Sequence, residues 1–424
     1  MPLAEYNAHA ESAKAHCGSA TIAVLDAFQG WTRAQKSVVS ASFLGWTLDA
    51  FDFFLLVFVL KDVAAEFGVE RHAVAFAITL TLALRPVGAI VFGRLADRFG
   101  RRPILMIDVG TYSMLGLATA FAPNLATFLV IRALFGIAMG GEWGIGASLT
   151  METIKPEARG LVSGLLQSGY PTGYLLASVV YTTVYQTIGW RGMFVVGALP
   201  ALLVLYIRRN VPESPGWEAA QARGSTSILT VLSEHWKLAL YGIALMTAFN
   251  FFSHGTQDIY PTFLQIQHGF DAHVTGTIAV IYNIGAILGG WTFGLWSQRL
   301  GRRRAIVLAS ALSLPVIYLW AYSSTVFGLA VGAFLMQYFV QGAWGVVPAH
   351  LNELSPPSVR ATFPGTIYQL GNLIASSNAI IQTSIAAHQD ENYAFALASV
   401  AGCAAIAVMT LAALGREARE AQLS

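Results

Sequence analysis

The sequence predicts an all-α membrane protein: twelve transmembrane helices in two pseudo-symmetric six-helix bundles. Three observations predict it. The 424 residues are 55% hydrophobic and 11% charged, where a soluble domain carries about 25% charged residues. Apolar stretches of roughly 20 residues, enough to cross a bilayer, recur along the whole chain. One offset, 201 residues, superposes three separated motifs of the first half on the second.

The predicted spans start near Val38, Ala73, Pro103, Leu125, Gly160, Arg191, Trp236, Ala272, Arg304, Val326, Arg360 and Asn392. The last ends near Leu414. The longest polar stretch, Arg208 to Glu234, carries Pro212, Pro215 and Gly224 and reads as a linker. The expected domains are a tail 1–37, a first bundle 38–208, a linker 209–235, a second bundle 236–414 and a tail 415–424. No cleavable leader is expected, because the first 35 residues lack an apolar core with a small-residue cleavage site. The stretch Ala20 to Lys36 reads either as an amphipathic surface helix or as a frayed tail. Cys17 and Cys403 suggest neither a disulfide nor a redox pair.

Lys and Arg set the orientation. With the N-terminus inside, Arg94, Arg98, Arg101, Arg102, Lys155, Arg159, Arg299, Arg302, Arg303, Arg304 and Arg360 all fall on the inner side. Outer loops keep Lys61, Arg71 and Arg191. The expectation is a plasma (inner) membrane protein with both termini cytoplasmic.

The repeat pairs Gly93, Arg98, Gly100, Arg101 and Arg102 with Gly294, Arg299, Gly301, Arg302 and Arg303. It pairs Gly141, Trp143 and Gly144 with Gly342, Trp344 and Gly345, and Glu152, Pro156 and Arg159 with Glu353, Pro357 and Arg360. Two such halves around an axis along the membrane normal predict a central cavity.

Ionisable residues inside spans are expensive, roughly 2.5–3.5 kcal/mol at the helix centre. Asp49 and Asp52 share one face of the first span. Two carboxylates that close should not both ionise readily; they read as proton carriers or as a structural polar contact. Arg85 lies eight residues before Gly93, roughly 12 Å along the helix, and needs an anionic partner. That partner is Asp49, Asp52 or a substrate carboxylate held by two parallel hydrogen bonds; the remaining reading is snorkelling. In the seventh span, Asn250, His254, Gln257 and Pro261 follow 4-3-4 helical spacing, with Ser253 and Asp258 beside them. So many polar groups in a span require a wet cavity or another helix. His254 and Asp258 are four apart and can interact directly. Pro261 cannot donate to the Gln257 carbonyl, so a bend or break is expected there.

The stretch Gly93-Arg-Leu-Ala-Asp-Arg-Phe-Gly-Arg-Arg102 resembles the signature loop of the major facilitator superfamily. The resemblance covers nearly the whole chain and implies that superfamily's fold. It also implies a charge network that closes the inner side: Asp97, Arg98, Arg101, Glu152, Arg159, Arg302, Glu353 and Arg360, with Glu213 as a further member. The plain alternative is that these basics only fix topology. The second copy has Gln298 where Asp97 stands, which makes any latch asymmetric. Arg132 resembles the superfamily's fourth-helix arginine linked to proton coupling, and Glu142 follows it.

Asn250, Ser253, His254, Thr256, Gln257, Asp258 and Thr262 resemble the seventh-helix signature of fungal-type lactate/pyruvate permeases in the sialate:proton symporter family. The Asp49-Ala-Phe-Asp52 element is similar to that family's first helix. Ala50 departs from the Asp-Gly-x-Asp element of aromatic acid:proton symporters. The resemblance implies a proton-coupled importer of a small monocarboxylate, with an aromatic acid or sialate symporter as the alternative. Extra helices typical of bacterial sialate transporters find no room in the linker. A non-transporting membrane sensor is the reading from another class.

The expected substrate-binding residues are Arg85, Asn250, His254, Gln257, Tyr170, Tyr174 and Gln369; Gln167, Gln337, Gln341 and Asn372 are further cavity candidates. The expected proton-coupling residues are Asp49, Asp52, His254, Asp258, Arg132 and Glu142. Expected partners are a small carboxylate, protons and the lipid bilayer. No enzyme activity, cofactor, metal site or nucleic-acid patch is expected, and a functional monomer is.

Overall fold

The computed structural model describes residues 30–222, 228–419 and 421–423. Cys17, residues 20–29 of the stretch Ala20 to Lys36, and residues 223–227 of the expected linker lie outside the described residues. The described chain is helical nearly throughout. In chain order the helices are α1 (Arg33–Phe67), α2 (Arg71–Phe99), α3 (Arg101–Thr119), α4 (Leu125–Thr153), α5 (Arg159–Gln167), α6 (Gly169–Val196), α7 (Ala201–Asn210) and α8 (Pro215–Ala222). The second half follows with α9 (Ile228–Gln257), α10 (Tyr260–Ile266), α11 (Ala272–Leu300), α12 (Arg302–Tyr322), α13 (Val326–Trp344), α14 (Val347–Leu354), α15 (Thr362–Ala375), α16 (Asn378–His388) and α17 (Tyr393–Leu414).

These pieces build twelve rods. Eight helical stretches are long and apolar enough to cross a membrane by themselves. One of them, residues 156–210, holds two rods, because Gly189 takes φ 62° and breaks α6. The remaining rods are α3, α9 and the pair α15 and α16, which are 14 and 11 residues long and cross only together.

Local chemistry shifts several predicted boundaries. The first helix starts at Arg33 rather than Val38, because Thr32 and Gln35 form a reciprocal capping box. The break at Pro261 is present: α9 stops at Gln257 and α10 restarts at Tyr260. The expected linker contains a docked helix, α8, with Pro215 at its first position. Trp217 Nε1 donates to the Asp97 carbonyl at 3.0 Å, and Gln221 Nε2 reaches the Asp97 and Arg98 carbonyls.

The halves repeat one packing scheme. Helix α2 packs on α4, and α11 on α13. A methyl on Gly88 would run into the Ile137 carbonyl, and one on Gly289 into the Tyr338 carbonyl, 201 residues later in both cases. Glycine allows these backbones to touch. Across the halves α2 meets α15 and α5 meets α11, which are again equivalent pairs.

Loop carboxylates cap the third and ninth rods in the same way. Glu213 accepts from the Arg101 and Arg102 backbone N–H groups, at 2.9 and 3.2 Å. Glu417 accepts from the Arg303 N–H at 3.1 Å. Burial pushes the Glu213 carboxyl up, and the N–H groups of Ser214, Arg101 and Arg102 oppose this. A cap of this kind contributes about 1 kcal/mol. Glu213→Ala is expected to lower the melting temperature of the purified protein, while Glu213→Gln recovers part of the loss. Unchanged melting of the alanine variant would deny the cap a stabilising role.

Candidate functional site

A cavity of about 370 Å³ lies between the halves. From the first half, Arg85, Tyr170, Tyr174 and Gln167 line it. From the second half come Asn250, Ser253, His254, Gln257, Asp258, Gln341 and Asn372. Phe54, Phe58, Trp46 and Trp344 supply aromatic walls.

The side chains are held by specific contacts. His254 Nδ1 meets Asp258 Oδ1 at 3.1 Å, and Nε2 meets Asn372 Oδ1 at 2.9 Å. Both partners present oxygens, so a doubly protonated ring satisfies both contacts. Gln257 Nε2 donates to Gln337 Oε1 at 2.8 Å, and Gln337 donates to Thr256 Oγ1 at 2.9 Å. Gln341 donates to Ser253 Oγ at 3.1 Å. Asn250 donates to the Met246 carbonyl one turn back. Tyr174 stands edge-on to Phe54, ring centres 4.9 Å apart.

Arg85 is 3% exposed. Its Nη2 lies 2.6 Å from Met139 Sδ and 3.6 Å from Asp49 Oδ2. The guanidinium therefore has a carboxylate behind it and the cavity before it. No carboxylate of the first span lines the cavity: Asp49 and Asp52 are sealed inside the first half. Arg132 is also inside, stacked on Phe135 at 4.0 Å from the ring centre. Glu142 is buried too, at 1%.

Several sequence expectations are corrected. Gln369 is buried at 1% but does not line the cavity. Asp49, Asp52, Arg132 and Glu142 do not line the cavity, and of these Asp49 lies nearest to it, beside Arg85. The sequence reading missed Asp108, a fully buried acid on α3. The signal was present: one acid inside the apolar run Met106 to Val109, the same cue that picked out Asp49.

The Arg-rich end of the molecule is closed. Asp97 Oδ1 accepts from the Ala361 N–H at 3.0 Å. Its Oδ2 accepts from the Thr362 N–H at 3.0 Å and the Thr362 hydroxyl at 2.5 Å. A carboxylate of one half thus sits on a helix N-terminus of the other. Arg101 joins Asp97 at 2.7 Å and Glu152 at 3.2 Å, and Arg360 joins Glu152 at 3.4 Å. Ser214 Oγ also donates to Glu152. At the equivalent place Gln298 accepts from the Gly160 N–H and donates to the Pro156 carbonyl, at 3.1 and 2.9 Å. The latch is asymmetric, one side ionic and the other neutral. Arg302 holds Glu353 through two bonds of 2.9 and 2.8 Å.

Two gate expectations differ from the structure. Among the described residues Arg98 forms no ion pair within 4 Å and lies over the Phe99 ring, because the side chain that turns inward at the start of α3 is Arg101. Arg159 donates to the Met151 and Ala421 carbonyls rather than to an acid. Arg360 likewise donates to the Leu423 carbonyl at 2.7 Å. The chain end therefore lies across both halves. At the far end Val57 and Asp258 are exposed, and the cavity opens on that side.

The Major Facilitator Superfamily model matches residues 42–271 and 243–424. The chain belongs to the Major Facilitator Superfamily. It is a multi-pass membrane transporter rather than an enzyme. Among curated superfamily relatives, a carboxylic acid transporter protein homolog of Saccharomyces cerevisiae is 27% identical over 370 residues. That match covers 81% of this chain, which spans 60% of the yeast protein. The sialic acid transporter NanX of Escherichia coli is 26% identical over 360 residues, covering 84% of this chain and 88% of NanX. The solved structure of the proton:xylose symporter XylE superposes with a TM-score of 0.73 at 18% identity, over 92% of this chain and 99% of that one. This likeness shows the superfamily fold.

Proposed function

We infer that this transporter carries a small monocarboxylate, lactate or pyruvate, together with a proton by alternating access. One observation carries the reading: Arg85 faces His254, Asn250 and Gln257 across a shared cavity, with Asp49 directly behind it. A carboxylate anion entering the cavity competes with Asp49 for the same guanidinium. When the anion wins, Asp49 loses its counter-charge and takes a proton. Anion and proton therefore load together. His254, held by Asp258 and Asn372, supplies a second cation for the anion.

Asp52, Arg132, Glu142 and Asp258 support proton handling in this reading. Tyr170 and Tyr174 shape the cavity, and Gln369 acts from behind the wall. The ionic and neutral latches form the inner gate, with the Arg-rich end cytoplasmic, both chain ends inside and the protein a monomer in the plasma membrane. One anion with one proton moves no net charge, so the cycle feels the pH gradient rather than the membrane potential. Relatives named for carboxylic and sialic acids support an acid substrate. The aromatic walls, Phe54 and Phe58 with Tyr170 and Tyr174, favour a second reading, an aromatic acid or sialate.

The test is uptake of labelled lactate into proteoliposomes. Uptake is expected to rise as outside pH falls and to collapse with a protonophore. Competition by lactate, pyruvate, acetate, benzoate and sialate ranks the substrates. Uptake indifferent to the protonophore removes the proton from the mechanism, and stronger competition by benzoate or sialate hands the site to the second reading.

A further inference from the structure

The core of the first half holds more acid than base. Asp49, Asp52, Asp108 and Glu142 are each at most 1% exposed, and Arg85 and Arg132 are 3% and 0% exposed. Four carboxylates thus face two guanidiniums. Arg85 lies beside Asp49, and Arg132 is a charged neighbour of Asp52. Among the described residues no cation lies within ion-pair distance of Asp108 or Glu142. An unpaired ionised carboxylate so deep costs several kcal/mol, so these two hold protons.

The geometry around them is specific. A methyl on Gly141 would stand 2.8 Å from Asp108 Oδ1, and one on Gly45 would collide with Glu142 Oε1. A methyl on Gly146 would meet Glu142 Oε1 at 3.4 Å and Ser42 Oγ at 3.6 Å. Glycines clear the backbone beside each acid, and Glu142 and Ser42 border the same spot. The carboxylate oxygens of Asp108 and Glu142, Ser42 Oγ and Tyr112 Oη are all buried without a hydrogen-bond partner among the described residues. Buried polar groups are normally paired, so their convergence marks a polar strip. The strip has a direction. Ser42 is seven residues nearer the Arg-rich end than Asp49, about 10 Å along α1.

We propose that Asp108, Glu142 and Ser42 form a proton wire that discharges Asp49 toward the Arg-rich end. The proposal rests on Asp49 as the proton carrier. Glu142 gives up its proton through the Ser42 hydroxyl to water admitted when the Arg-rich end opens, and the Asp49 proton then moves onto the Glu142 carboxylate. Each transfer breaks one O–H bond and makes another. Asp108 shares the proton with Glu142 from α3. The charged and titratable groups facing the pair are Asp49 on α1, Arg85 on α2 and Tyr112 on α3. From the other half Tyr368 of α15 faces Arg85 and Asp49.

Two assays in proteoliposomes, both with labelled lactate, separate a wire from a structural role. Equilibrium exchange needs no net proton release, whereas uptake driven by a pH gradient does. Asp108→Asn is expected to keep exchange within about 2-fold and to cut driven uptake about 10-fold or more, and Glu142→Gln is expected to lose driven uptake to a greater extent than exchange. Glu142→Asp, which retains an acid, is expected to restore driven uptake. Equal loss in both assays at an unchanged melting temperature overturns the wire, and so does full retention of both. A glutamine variant that melts early is replaced by the Glu142→Asp comparison, and failure of the aspartate to restore driven uptake overturns it as well. Wild-type uptake blind to both pH gradient and protonophore is a different result: it removes proton carriage itself.

Discussion

Replacing Arg85 by glutamine is expected to cut lactate uptake at least about 100-fold, equal to roughly 2.7 kcal/mol. The guanidinium is nearly sealed, with Met139 on one side and Asp49 3.6 Å away. Two losses combine. The substrate carboxylate loses a charge-assisted partner, and Asp49 is left in a dry core without its counter-charge. Removing one member of a buried pair costs about 3–5 kcal/mol, so the single variant also melts earlier. Arg85→Gln with Asp49→Asn removes both charges and is expected to recover stability but not uptake. Arg85→Lys keeps the charge and loses the planar fork; an intermediate loss of about 10-fold is expected. Ligand-induced thermal shifts and uptake kinetics read the two effects separately. Recovery of uptake in the double variant would make Arg85 a structural ion-pair partner and leave the anion site elsewhere.

The fold was legible because the bilayer imposes its own period. Apolar length, arginine placement and a constant offset each act on the whole chain and agree. The cavity was half legible. The polar face of α9 could be read from its spacing, since 4-3-4 intervals put Asn250, His254 and Gln257 on one side wherever the helix lies. Arg85 could be placed by its depth. Gln369 could not be placed, because one polar residue in α15 gives no direction, and rotation of that helix is set by its packing on α2 and α9. Arg98 and Arg101 look alike in the loop. Only the turn at Gly100, φ 109°, decides which of them faces Asp97 and Glu152. The α8 helix was hidden for a related reason: Pro215 reads as a linker residue, yet proline is also favoured at a helix start. Asp108 needed no coordinates, only the charge-cost rule applied to the third span as strictly as to the first.

The closed Arg-rich end offers the sharpest conformational test. Gly164 on α5 lies flat against the Gly290 backbone of α11, and a methyl there would overlap the Gly290 carbonyl. Gly294 makes the same kind of approach across the halves, to the Gly160 carbonyl. Backbone meets backbone at these points, so no flexible side chain can yield. Gly164→Val therefore wedges the halves apart while leaving the fold of each half intact. The ionic latch of Asp97 on α15 and the Glu152–Arg360 pair are separate buried contacts whose charges regain water when the halves part, and they do not hold against such an overlap. Overpacking of this kind costs about 1–3 kcal/mol, which shifts a two-state equilibrium roughly 5- to 150-fold. The expected result is a protein that is made and folded but rests with its Arg-rich end open. In a background lacking Cys17 and Cys403, a cysteine at Ser163 should become labelled by a water-soluble thiol reagent, and one at Val57 at the opposite mouth should lose labelling. Lactate uptake should fall about 10-fold or more by the same shift. Unchanged labelling at both positions would mean that the α5–α11 contact does not separate when the transporter turns over, and the gate would have to be sought along α2 and α15 instead.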